Sequence, residues 1–69
     1  MKISARNLLK AKVTSIVDGA VNSEVVVELP GGQQIVSVVT KKSVNDLGLA
    51  PGKDVLVVIN ASNVMLAVE

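Results

Sequence analysis

Apolar and polar side chains alternate along most of this chain with a period of two, which belongs to β-strands rather than to helices. Between Leu8 and Val17, residues Leu9, Ala11, Val13 and Val17 fall on one face, and Lys10, Lys12 and Thr14 on the other. This predicts a long first strand, ended by the turn signal Asp18-Gly19. Asn22 to Leu29 predicts a second strand, with Glu24 and Glu28 opposing Val25, Val27 and Leu29. Pro30-Gly31-Gly32 breaks the pattern and predicts a hairpin into Gln33 to Thr40. That third strand is apolar on both faces. Val36 and Val38 share one face with Thr40, while Ile35 and Val39 share the other with Ser37. A strand of this kind is buried on both sides, either against a second subunit or beneath a helix of its own chain. The pattern does not choose between them.

Ser43 to Leu47 predicts one or two helical turns, with Ser43 as the cap and Gly48 as the stop. Ala50-Pro51-Gly52-Lys53 fits a type II turn, with Pro in the second place and Gly in the third. Asp54 to Ile59 is a nearly continuous apolar strand, Asn60 to Asn63 a polar loop, and Val64 to Val68 a fifth strand. Five strands, with a short helix between the third and fourth, make an all-β, OB-like barrel. Closure protects the strand edges of so valine-rich a sheet. One domain over residues 1–69 is expected.

Composition adds a demand that the pattern does not state. The 69 residues are 49% hydrophobic and 19% charged, with no cysteine, histidine or aromatic residue. Domains this small lean on disulfides, a structural metal or oligomerisation, and the first two need residues this chain lacks. Association of several copies is therefore expected. The formal net charge of +1 gives no reason to expect a polyanion partner. The polar start, with Lys2 and Arg6, is not a secretory signal, and the longest apolar run, Val55 to Ile59, is far too short to span a membrane. A cytoplasmic protein that neither enters membranes nor binds nucleic acid is expected.

Catalysis finds no footing. The usual general base and the strongest nucleophile are both missing. Glu24 and Glu28, on one strand face, have Cα atoms about 13 Å apart, too far for a carboxylate dyad. Gly31-Gly32 lacks the helix and Gly-Lys-Ser/Thr that a phosphate loop needs. Single-strand nucleic-acid binding would require aromatic platforms for the bases, and there are none. What remains is a set of small neutral donors, Ser4, Asn7, Ser23, Ser37, Thr40, Ser43, Asn60, Ser62 and Asn63. Such groups suit an oxyanion held by directional hydrogen bonds, although each also suits a turn or a cap.

Ile3-Ser4-Ala5-Arg6-Asn7, followed by Leu9-Lys10 and Lys12-Val13, resembles the opening of Mop domains. These form free-standing molbindins and also occur in molybdate-responsive regulators and molybdate-transporter ATPases. The resemblance continues through Glu24-Val25-Val26, Gly31-Gly32, Ser43-Val44, Leu47-Gly48 and the closing Val64-Met65. It implies a five-stranded OB-like barrel and a homo-oligomer, a hexamer built as a trimer of dimers. It also implies molybdate or tungstate bound at subunit interfaces, with no cofactor and no metal except within the oxyanion.

Carried onto this chain, the resemblance assigns the anion to Ser4, the backbone around Ala5 and Arg6, and the loop Asn60, Ala61 and Ser62. A neighbouring subunit would add Ser37 and Thr40 from its third strand. The Arg6 side chain either reaches the anion or turns away into a salt bridge. Two departures stand out: Leu8 replaces a common Gln, and Asn60 replaces a common Lys. The second exchanges a full charge for an amide dipole, at a cost of about 1.5–3 kcal/mol, one to two decades of affinity. The expected function is molybdate or tungstate storage. The alternative is an oligomeric scaffold or regulatory module that keeps the fold with a weakened site.

Overall fold

The computed structural model describes all 69 residues. Four strands and one short helix form in the order β1 (Asn7–Asp18), β2 (Asn22–Glu28), β3 (Gln34–Thr40), α1 (Lys41–Leu47) and β4 (Asp54–Ile59), followed by a 3-10 turn over Ala61–Asn63. The strands make one antiparallel sheet in the order β3-β2-β1-β4, curled into a half-barrel.

β1 belongs to both halves of the sheet. Its first part, Asn7 to Lys12, pairs with β4, and its second, Lys12 to Asp18, with β2. Early in the second part the register slips: Val13 faces Val27 but Ser15 faces Val26, leaving Thr14 as the extra residue of a bulge. The Thr14 hydroxyl donates to the Val26 carbonyl at 3.1 Å. This is how one strand bends enough to serve two partners.

The inward face carries the core, Ala11, Val13, Val25 and Val27, ringed by half-buried residues that include Ile35, Val39, Val44, Val55 and Val57. Ser23 is buried among them, and its hydroxyl donates to the Asp18 carboxylate at 2.6 Å. That bond closes the turn that Asp18-Gly19 predicted.

The helix begins earlier than its sequence signal. Thr40, not Ser43, is the N-cap: its backbone is extended, and its hydroxyl accepts from the Ser43 N–H at 3.0 Å and donates to Ser43 Oγ at 2.9 Å. Gly48 ends the helix as expected, in the left-handed conformation at φ 63°. Its N–H reaches the Asn45 carbonyl and that of Leu49 the Val44 carbonyl, the two bonds of a Schellman motif. Lys53 Nζ adds a bond to the Leu47 carbonyl at 2.8 Å. The type II turn forms as predicted, with Lys53 N–H donating to the Ala50 carbonyl at 3.0 Å and Gly52 at φ 92°.

One predicted element is missing. Val64 to Val68 forms no strand, so the chain has four strands where the pattern predicts five. The 3-10 turn carries the backbone away from the sheet, and no main-chain hydrogen bond joins residues 65–69 to it. Met65, Leu66 and Val68 are 92%, 94% and 99% exposed. Consequently β3 and β4 each end the sheet with an open edge. The two-faced β3 also meets no cover of its own: α1 packs Val44 towards the core, and Val36 and Val38 on the outer face remain exposed.

Candidate functional site

The pairing of β1 with β4 decides which ends of the chain meet. Asn7 lies opposite Ile59 and Leu8 opposite Val58. The segment before β1 and the loop after β4 are therefore delivered to the same end of the sheet. The Asn7 carboxamide fastens this junction by donating to the Ile59 carbonyl at 3.1 Å. Beside it lies an open cleft of about 340 Å³, lined by Ile3, Ser4, Ala5, Val58, Ile59, Asn60 and Asn63.

Its polar groups are the Ser4 hydroxyl and the Asn60 and Asn63 carboxamides, none of which has a hydrogen-bond partner within the chain. No titratable side chain lines it. Neutral donors and apolar side chains share the lining, a combination suited to directional bonds with an anion.

Ser4, Ala5 and Asn60 thus come together as the sequence suggested. Ala61 and Ser62 lie on the turn beside them, but neither borders the cleft. Asn63 does, and it was not among the expected site residues. Its position shows only once the 3-10 turn is seen, in which the Asn63 N–H returns to the Asn60 carbonyl at 3.0 Å. Arg6 has no carboxylate partner, since the ion pairs of the chain are Lys12–Asp54 at 3.4 Å and Lys42–Asp46 at 2.6 Å. The salt-bridge reading of Arg6 is therefore not met within one chain.

Ser37 and Thr40 lie on β3, at the opposite edge of the sheet, with β2 and β1 between them and β4. Three strand spacings amount to about 14 Å, so one copy cannot bring them to its own cleft. They also point to opposite faces: Ser37 lies beside Val25 of the core face, and Thr40 follows Val36 and Val38. The Thr40 hydroxyl is committed to the helix cap. Ser37 is exposed and unbonded. A second cleft, at Lys10, Lys12, Glu28, Pro30 and Asp54, mixes both signs of charge and carries two carboxylates that oppose an anion.

Fold and cleft together define a small OB-like module with an open cleft lined by neutral polar and apolar residues. The TOBE domain family matches residues 3–66 of the chain. A probable molybdenum-pterin-binding protein of Haemophilus influenzae is 46% identical over 69 residues, covering 100% of both chains. Among solved structures, a molybdate-binding protein from Sporomusa ovata superposes with a TM-score of 0.91 at 39% identity, over 97% of this chain and 98% of that one. The cytoplasmic molybdate-binding protein ModG, with molybdate bound, gives a TM-score of 0.95 at 51% identity, over all of this chain and 49% of its own. The chain belongs to the TOBE-domain family and, within it, to the Mop proteins or molbindins.

Proposed function

We propose that this chain is a non-enzymatic binding protein for molybdate or tungstate that stores or buffers molybdenum in the cytoplasm. The observation that carries this reading is the register of β1 on β4, which sets Ser4 and Ala5 against Asn60 around an uncharged cleft. The likeness to structures titled as molybdate-binding proteins supplies the anion, and the neighbour described as cytoplasmic supplies the compartment. Each copy contributes Ser4, the main chain at Ala5 and Arg6, Asn60 and the main chain of the turn at Ala61 and Ser62. β3 of a neighbouring copy contributes to the opposite wall, through Ser37 on its core-side face or through Thr40 at its end, where the strand passes into the helix cap. Sulfate, of the same charge and shape, is rejected by the size of the completed cavity.

The site is complete only in an assembly, proposed as a hexamer made of a trimer of dimers. Two properties of the isolated chain support association. Its accessible surface is 5415 Å², where a compact chain of this mass exposes about 4,100 Å², an excess that exceeds the roughly 800 Å² one partner gives to a standard interface. It also holds an unpaired apolar segment, Val64 to Val68, and two open sheet edges. Exchange of that segment into the open barrel of a second copy satisfies both at once, and it anchors the adjoining Asn60 turn at the contact between copies.

Calorimetric titration of the purified protein with molybdate, tungstate and sulfate tests the reading; without Trp or Tyr, intrinsic fluorescence cannot serve. Heats are expected for the first two anions and not for sulfate. Flat traces for all three would remove the binding function and leave an oligomeric scaffold. Asn60→Lys should tighten binding by about tenfold or more, because it restores a charge-assisted bond.

A further inference from the structure

Asn63 borders the cleft, yet the site as proposed gives it no task. It closes the 3-10 turn that begins after Asn60, and its N–H donates to the Asn60 carbonyl at 3.0 Å. Asn60 and Asn63 both line the cleft with Ser4 and Ala5, while Ala61 and Ser62 between them do not. Both carboxamides are free of hydrogen bonds within the chain.

We propose that Asn63 is a second amide donor of the anion site and acts with Asn60 as a pair, two neutral carboxamides directing N–H groups at one oxyanion. The inference rests on the proposed oxyanion function and adds to it a determinant of affinity. A lysine would bring three N–H donors and a charge; one carboxamide brings two donors and no charge. The pair more than replaces the donors without replacing the charge. This wall of the site therefore recognises an acceptor-rich tetrahedral anion through aimed dipoles, whose pull is local and little affected by salt.

The test is molybdate calorimetry on the intact oligomer carrying Asn63→Ala, Asn63→Asp, Asn60→Ala or both alanine changes, with Gln33→Ala on the β2–β3 hairpin as control. Asn63→Ala should weaken binding about tenfold, the effect of losing one hydrogen bond to a charged partner. Asn63→Asp keeps the shape, exchanges donors for a negative charge, and should weaken it further. That extra loss should shrink as salt rises from about 0.02 to about 0.5 M, because the added repulsion is screened. A purely structural role would not produce this salt dependence. The double alanine variant should depart from the product of the single effects, as expected of groups sharing one ligand. Melting temperature and mass by light scattering should match the parent for every variant.

Asn63→Ala and Asn63→Asp titrating like the parent while Asn60→Ala weakens would overturn the pair and leave the oxyanion function standing. A parent protein silent towards both molybdate and tungstate would remove the function, and this inference with it.

Discussion

Asn7 shows how a single side chain can govern a site it does not line. Its carboxamide ties the start of β1 to the last carbonyl of β4, so the distance between Ser4 and the Asn60 turn depends on it. Asn7→Asp is nearly isosteric but replaces the donor with a carboxylate facing the Ile59 carbonyl. It should loosen the junction and weaken molybdate binding about tenfold. The backbone pairing of Asn7 with Ile59 persists, so the far-ultraviolet circular dichroism should not change. Normal affinity in this variant would mean that the register alone holds the cleft. At this scale the sequence was partly legible. Ser4, Ala5 and Asn60 could be named because the resemblance to Mop domains assigns them, and the pairing of β1 with β4 then brings them to one cleft. Asn63 could not, because a polar loop four residues long does not disclose its turn type, and the turn type decides which side chains share a side. Ala61 and Ser62, assigned by the same resemblance, lie on the turn between Asn60 and Asn63 and do not border the cleft.

Among the elements, α1 is the one whose start was misread, and its cap now has two possible duties. Both Thr40 and Ser43 can cap, and the extended backbone of β3 running to residue 40 gives the position to Thr40. Thr40→Ala removes the acceptor for the Ser43 N–H and should cost about 1 kcal/mol. For a domain of this size that lowers the melting temperature by about 4–8 °C, compared at fixed protein concentration. Thr40→Asp retains a capping oxygen and should melt near the parent. It also sets a negative charge at the place proposed to reach a neighbour's anion, so the same variant should bind molybdate more weakly if that proximity holds. Normal binding with a normal melting temperature would confine Thr40 to its cap. Strands β1 to β4 were all legible, β1 and β2 from alternation and β3 and β4 from short apolar runs bounded by turn residues. Val64 to Val68 is apolar throughout as well, but an apolar run cannot say which edge receives the strand or whether that edge lies in the same chain.

That unplaced segment sets the behaviour of the whole molecule. The radius of gyration is 12.7 Å, where a compact chain of 69 residues has about 11 Å, and the extended end contributes to the difference. A half-barrel with two open edges leaves its edge N–H and C=O groups to water and, beside an exposed apolar segment, offers them as a template for pairing with another chain. If that partner is a second copy, ending the chain after Asn63 should take away the strand and leave the edges. Light scattering at micromolar concentration should then report monomer, or loss of the folded state, in place of a defined oligomer. Leu66→Asp and Val68→Asp supply a second test that keeps the backbone intact. A charge on the buried face of an exchanged strand should dissociate the assembly, while the same change on a free tail should do nothing. Molybdate ought to oppose the dissociation, because an anion held between copies stabilises the assembled state in proportion to its occupancy. A variant that stays fully assembled without the segment would shift the interface to the exposed outer face at Val36 and Val38, where a charged substitution is the corresponding experiment.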